Sequence, residues 1–471
     1  MLIIRHATAI YPDPLDTSRA ISFTDSFQVR HSHYLASMRQ KRNLSLVNKF
    51  WHLIAQEFLY EFVWISRAQD AQLLAQALSA QTVRNMGSHI RRLHIQTSTM
   101  DRCNPTHLRT ILDCSPNLIV YSDYRSVRRN ILEESCNPGS SPEDLFKALA
   151  HPKNSLRRLS WTSYDDVSFH LRMTPMIEAT AANLEFLELN FCSSHLHSMF
   201  STAATASSTL TPIPTTSIAL NLPALRTLKV TLDNATFSVL SAWTLPVLEN
   251  LSVLSADFSY AGPGFSEFFI VHGSKLNQLE LGHSSSMIEE HMLTAPLHAH
   301  GQGQGQIPLA TWCPNLTEFI CSADAEWNWE NPDWIAPHVL LPSHPNVKFI
   351  GIRDICKRLK DDIAFARGNS PSFQENLEDD SPFFSLLQQM HSLLRSAAFP
   401  ALTFIRDLSP QSDDMRRHRP QIRILKFWKR VLNMCRERDR TVWLEDCTGM
   451  NVTQNDLLRF AKRRFEDHHQ L

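Results

Sequence analysis

Apolar residues return along this chain in a six-residue beat, filling positions 1, 4 and 6. "SLRRLSW" from Ser155, "NLEFLEL" from Asn183, "ALRTLKV" from Ala224, "KLNQLEL" from Lys275 and "NLTEFIC" from Asn315 all carry it. Positions 4 and 6 alternate with polar neighbours, as a half-buried strand requires, and position 1 lies on the turn entering that strand. First positions at Leu156, Leu184, Leu225, Leu248, Leu276, Leu316 and Val347 predict strands near 157–161, 185–189, 226–230, 249–253, 277–281 and 317–321. Weaker copies occupy Ile90–Ile95, Asn117–Asp123 and Ala401–Asp407. The two widest gaps hold polar, low-complexity insertions, 201–217 and 297–308, which read as loops expected to be mobile. Helical patterns lie between the strands. "SSPEDLFKALAH" is the clearest: Ser141 suits an N-cap, Pro142 the first helical position and Asp144 the capping box, with Leu145, Ala148 and Leu149 sharing one face. One strand and one helix cannot bury their apolar sides alone, whereas stacked copies can.

This unit resembles the leucine-rich repeat, L-x-x-L-x-L with a period of roughly 20–29 residues. The copies are degenerate. Strict members carry Asn or Cys three residues after position 6, and Cys192 meets that rule while Tyr164, Asp233, Ala256, Ser284, Asp324 and Ile355 do not. The fold implied is α/β, a leucine-rich-repeat-like solenoid with a curved parallel sheet and convex helices. A doubly wound parallel sheet also alternates strand and helix, and is the competing architecture.

Residues 44–59, "LSLVNKFWHLIAQEFL", place Leu46, Val47, Phe50, Trp51, Ile54 and Phe58 at helical spacing. The pattern alone predicts a helix closing the open end of a solenoid core. "SLVNKFWHLIA" also resembles the second half of an F-box, Leu-Val-x-x-x-Trp-x-x-x-Ala, matched by Leu46, Val47, Trp51 and Ala55. Residues 1–40 carry no Leu-Pro-x-Glu opening, so the first half of such a box is divergent or missing. Leu59–Gln81 looks like the linker that joins an F-box to leucine-rich repeats, and Val442–Gly449 like a final strand and turn. The resemblance implies a Skp-type adaptor docking on Leu46, Val47, Phe50, Trp51 and Ile54.

The expected organisation is an irregular N-terminal tail at 1–40 and a short helical F-box-like segment at 41–80. Degenerate repeats with the two inserted loops follow at 81–409, then a C-terminal helical and strand cap at 410–471. Within that cap, 416–440 is strongly basic, while Ile422, Leu425, Trp428, Val431, Leu432 and Cys435 line one helical face. A helix covering the last repeat with a solvated basic side accounts for this pattern.

Composition narrows the function classes. A chain of 471 residues with 43% apolar, 20% charged and a net charge of −1 is ordinary for a globular protein and makes no global case for nucleic acid or a membrane surface. Nine Cys, odd in number and never spaced C-x-x-C, fit reduced thiols and a location in cytoplasm, nucleus or both. G-x-S-x-G, a phosphate-binding loop and H-E-x-x-H are all missing, so neither enzymatic chemistry, a cofactor nor a metal is expected. His298 and His300 read as a solvated loop. Trp327, Trp329 and Trp334 read as packed against the solenoid, with partner anchoring as the alternative.

The strand residues beside positions 4 and 6 point away from the core. Among them, Phe186, Glu188, Lys229, Glu280, Glu318 and Ile320 are the candidates for binding a target. Phe186 and Ile320 are expected as exposed apolar anchors, and Lys229, Glu188 and Glu280 as readers of opposite charge. By resemblance, the chain would be the substrate-recognition subunit of a Skp-cullin-F-box ubiquitin ligase. It would hold an unidentified protein target on its repeats while other subunits do the chemistry. The alternative is a leucine-rich repeat interaction scaffold with a non-functional F-box.

Overall fold

The structure is a computed structural model. It describes residues 2–10, 13–25, 27–80, 86–97, 101, 103–124, 145, 148–149, 155–162, 177–178, 180–190, 219–232, 240–255, 263–283, 309–323, 341–356, 359, 384–409, 412, 422–438 and 441–459. Two compact units divide the chain. The first comprises Met1–Ile21, His31–Ala256 and Pro263–Phe268, the second Ser22–Arg30, Asp257–Gly262 and Phe269–Leu471.

The first unit carries β1 (Phe62–Ile65), β2 (Arg92–Gln96), β3 (Val120–Tyr124), β4 (Arg158–Thr162), β5 (Phe186–Asn190), β6 (Thr227–Leu232) and β7 (Asn250–Ser255). Each pairs in parallel with the next in chain order. The second carries β8 (Gln278–His283), β9 (Glu318–Ser322), β10 (Phe349–Arg353), β11 (Phe404–Asp407) and β12 (Trp443–Glu445), again parallel and sequential. Described helices between strands include α4 (Ala68–Ser79), α5 (Pro105–Asp113), α6 (Pro263–His272), α7 (Leu309–Trp312), α8 (Phe384–Leu393) and α9 (Ile422–Arg436). This is the α/β leucine-rich-repeat-like solenoid that the pattern predicts. The strands begin one residue later than expected.

Register explains why the beat is 1-4-6. Leu159, Leu187, Leu228 and Leu251 align across β4 to β7, as do Trp161, Leu189, Val230 and Val253. Each is buried, and so are the position-1 residues Leu156, Leu184, Leu225 and Leu248. Each repeat thus adds three apolar side chains to one continuous core, and truncating any of them to Ala should cost about 2–5 kcal/mol. The turn before the strand also repeats. The carbonyl of Arg157 accepts from the amides of Glu185 at 2.7 Å and Phe186 at 3.1 Å. That of Glu185 accepts from Arg226 at 2.9 Å and Thr227 at 3.1 Å. A second device is visible only in the structure. In the first unit Asn117 donates its side-chain amide to the Ser88 carbonyl at 2.7 Å. In the second, Asn315 and Asn346 reach the carbonyls of Ser274 and Pro314 at 2.7 and 3.0 Å. Each follows a Pro and precedes a position-1 residue, so it ties one turn to the turn before it.

Two expectations need correction. Residues 1–40, expected as an irregular tail, contain α1 (Leu2–Ala7) and most of α2 (Phe27–Ser45). The buried positions of α2 are Tyr34, Ser37, Lys41 and Ser45, a helical spacing filled by mostly polar groups, so no apolar period appears in the sequence. Burial pushes the Lys41 ammonium below its ordinary value, against the pull of Glu61 and Asp13. Second, 41–80 is not wholly helical, since α3 (Lys49–Glu61) runs straight into β1. Of the C-terminal cap, α9 and β12 are present, and Leu425, Trp428, Val431, Leu432 and Cys435 are buried as their spacing predicts. Of the helix expected after Ser141, only Leu145, Ala148 and Leu149 are described, all buried. The insertions 201–217 and 297–308, with His298 and His300, and the Trp327, Trp329 and Trp334 cluster lie outside the described residues.

Candidate functional site

The helix α3 starts where Asn48, in extended conformation, accepts the Trp51 amide on its side-chain oxygen at 2.9 Å. That cap satisfies one of the free amides of the first turn. From there the helix has two apolar sides. Ala55 and Phe58 are buried with Ile4, and Leu44, Trp51 and Ile54 pack against them. The other side is open: Phe50 and Leu53 are 68% and 62% exposed, and Leu46 and Val47, in the turn just before the helix, are 74% and 59% exposed. The five residues expected to meet an adaptor therefore separate. Leu46, Val47 and Phe50 are available to a partner, while Trp51 and Ile54 are half-buried against the chain's own core. Leu53 was missing from the expectation. Its signal is the three-residue step from Phe50, which puts both on one helical face.

The second candidate surface is the strand face turned away from the core, and the chain's own N-terminal residues lie on it. In the first unit Arg92 donates to the Pro14 carbonyl at 2.7 Å and Arg157 to the Thr17 hydroxyl at 3.1 Å. Arg226 donates to the Ser18 carbonyl at 2.7 Å and Arg158 to that of Arg19 at 2.9 Å. Asn250 donates to the Ile21 carbonyl at 2.9 Å. Arg92, Arg158 and Asn250 are the position-3 residues of β2, β4 and β7. Most of these donors meet main-chain carbonyls, so they hold an extended segment largely without regard to its side chains. In the second unit, the Phe23 amide donates to the Gln278 side-chain oxygen at 2.9 Å, and the Phe23 carbonyl accepts from Arg353 at 2.6 Å. The Phe23 ring is buried with Ile320 and Leu408.

The residues expected to bind a target sit beneath or beside this covering. Phe186 is 6% exposed and Ile320 0%, so neither is the exposed apolar anchor that the alternation suggested. Ile320 is covered by Phe23, an event no repeat pattern encodes. Glu188 and Lys229 do not act as separate charges, since they form an ion pair of 2.8 Å, and the Tyr124 hydroxyl donates to Glu188 at 2.7 Å. Burial raises the Glu188 carboxyl, but the Lys229 ammonium, with hydrogen bonds from Lys229, Tyr124 and Ser160, holds it below its ordinary value. Glu280 is likewise paired, with Arg353, and Glu318 accepts from Gln278 at 2.5 Å. The charges of this face are largely answered within the chain.

No family model matches the chain. No curated protein matches it. Among solved structures it is similar to one described as the crystal structure of the Rad7 and Elc1 complex in yeast. The TM-score is 0.30 and the identity 11%, with 82% of this chain and 94% of that chain covered.

One buried carboxyl precedes the socket residue Leu408 in sequence. Asp407 aligns with Ile352 at a core position of β11, next to Leu408. Burial pushes it up to about 7, against hydrogen bonds from Ser409 and with Asp446 and Asp354 adding to the rise. The alternation places Gln278 on the outward face, but Phe23 and Arg353 were missed in the sequence. Their contacts join residues 255 and 330 positions apart, where local periodicity carries no information.

Proposed function

We propose that this chain is the substrate-recognition subunit of a Skp-cullin-F-box ubiquitin ligase, without catalytic chemistry of its own. The observation that carries this is the bare edge of α3. Four large apolar side chains within eight residues, Leu46 and Val47 in the turn before α3 and Phe50 and Leu53 on it, are exposed to water in the segment that resembles the second half of an F-box. Contiguous exposed apolar groups on a folded protein mark a docking surface. A Skp-type adaptor would cover them, and the repeats would hold the target protein so that a lysine of the target meets the conjugating enzyme by position. A location in cytoplasm, nucleus or both follows from that role.

The half-buried Trp51 supports the fold, so it is a poor probe of docking. Phe50→Asp is the better one. It should reduce co-purification with a Skp-type adaptor by about thirtyfold, the scale of losing an interface anchor, while the melting temperature holds. Trp51→Ala should lower the melting temperature whether or not an adaptor is present. Should the wild-type chain bind no Skp-type adaptor, the reading becomes a leucine-rich repeat scaffold. The satisfied charges of the strand face favour neither role over the other.

A further inference from the structure

The Phe23 contact in the second unit has the parts of a peptide-binding socket. Gln278 and Arg353 take the two main-chain groups of a single residue, its amide at 2.9 Å and its carbonyl at 2.6 Å. Ile320 and Leu408 take that residue's side chain. Gly351 makes the space in which those two meet. A Cβ there would stand 2.6 Å from Leu408 Cδ1 and 3.2 Å from Ile320 Cγ1, so this strand position must stay bare. Arg353 and Gln278 are themselves fixed, the first by its ion pair with Glu280 and the second by its hydrogen bond to Glu318. Of its neighbours, Ser22 also meets the socket, its hydroxyl accepting from the Gln278 side-chain amide at 2.9 Å. Ser22 and Thr24 are half-buried and Asp25 is exposed. The socket therefore selects one large apolar side chain on an extended backbone, preceded by a residue able to accept from Gln278. Main-chain recognition with a single side-chain pocket is how extended peptides are held on protein surfaces.

We propose that this socket is a docking site for an extended peptide segment of a target protein bearing one large apolar side chain, and that Phe23 fills it in cis. The proposal rests on the reading that the strand face receives targets, and it does not depend on the α3 edge. A tethered occupant acts at an effective concentration near the millimolar range, so an incoming segment must displace it and binds more weakly than the bare socket would allow. Target uptake is then gated by whatever lifts residues 22–25.

The probe is a fluorescein-labelled peptide of residues 18–25, "SRAISFTD". Its anisotropy is followed on titration with the full chain carrying Phe23→Ala, with Phe23→Leu, and with no change. Phe23→Ala should bind the peptide at least about tenfold more tightly than the wild type, with Phe23→Leu between them. A peptide with Phe23→Ala, or with the Phe23 amide methylated, should lose about tenfold, because the first removes the side chain and the second the donor to Gln278. Phe23→Leu keeps an apolar plug and guards against loss of folding in the alanine variant. Uptake by neither variant, or equal uptake of the altered peptides, would make Phe23 a fixed part of the core and overturn the proposal. Failure of the adaptor pull-down leaves this result untouched, and failure of the peptide titration leaves the adaptor reading standing.

Discussion

The open edge of α3 and the strand face of the repeats begin from the same kind of sequence signal and end differently. Each places apolar side chains at regular spacing on the side of its element away from the solenoid core. At α3, Leu46, Val47, Phe50 and Leu53 remain in water. On the strands, Phe186 and Ile320 are buried, and residues 13–25 lie along the positions that were expected to be free. Periodicity says which way a side chain leaves its own element. It does not say whether a distant piece of chain lies over it. A side chain that points outward is open to a partner only when nothing in cis covers it or when what covers it can be displaced.

The largest expected effect lies at Asp407, on the core side of β11 and next in sequence to Leu408 of the Phe23 socket. Its folded value of about 7 lies well above the ordinary carboxyl near 3.8. Between those two values the folded state holds a proton that the unfolded chain has released. Stability therefore falls as pH rises from about 4 to about 7 and levels off above. A shift of this size amounts to on the order of 4 kcal/mol. Asp407→Asn retains an oxygen to accept the Ser409 amide and should flatten that slope in urea titrations from pH 4 to 8. The exposed quartet at the start of α3 has no titratable group, so adaptor binding through it should not follow this curve. A wild-type profile already flat over the window would contradict the buried carboxyl.

The next test makes the same substitution in both places. Phe23→Ala empties a buried site and should cost about 3 kcal/mol by the core-truncation scale. Phe50→Ala removes an exposed ring and should change stability by less than about 0.5 kcal/mol. Urea midpoints at unchanged slope measure both. Equal losses would erase the distinction between a covered face and an open one.

How much of this was legible in the sequence follows from the range of the interactions. The 1-4-6 beat reports contacts between a strand and its own helix and neighbours, and it placed the strands within a residue. It missed β1 because Phe62–Ile65 lies directly after a helix and looks like its continuation. It missed α2 because the buried face there is Tyr34, Ser37, Lys41 and Ser45. The asparagines of the Pro-Asn pairs were readable, at 117, 315 and 346, but their meaning needs the preceding turn in view. Of the site, the outward direction of Leu46, Val47 and Phe50 was legible. The inward turn of Trp51 and the cover over Ile320 were not, because they depend on Ile4 and Phe23, residues outside the pattern of either element.

A smaller effect is expected at Lys229, where the comparison turns on charge. Lys229→Met leaves Glu188 buried beside an apolar side chain and should cost about 2 kcal/mol, a value reduced because Lys229 is partly exposed. Adding Glu188→Gln removes the stranded charge and should recover much of the loss. The wild-type pair has an acid-side signature. The depressed Glu188 carboxyl contributes stability above its unfolded value near 4.5, and that contribution is lost as pH falls through its folded value. Were Lys229 instead a free reader of a target's charge, the single variant would be as stable as the wild type.

The smallest effect lies at the start of α3 and asks how firmly the open edge is presented. Asn48 holds the Trp51 amide at 2.9 Å, and Leu46, Val47 and Phe50 stand within two residues of it. Asn48→Ala frees that amide and should cost about 1 kcal/mol, whereas Asn48→Asp keeps an acceptor at the positive end of the helix and should cost little. The exposed side chains contribute almost nothing to folding, so this change should register more strongly in docking than in melting. Fraying the first turn lets Phe50 leave the orientation it shares with Leu53, and an adaptor would have to restore that order on binding. The expected result is weaker adaptor capture by Asn48→Ala, near-normal capture by Asn48→Asp, and midpoints within about 1 kcal/mol of each other. If Asn48→Ala loses stability but captures the adaptor normally, the edge is not a preformed surface, and only the side chains themselves matter for docking.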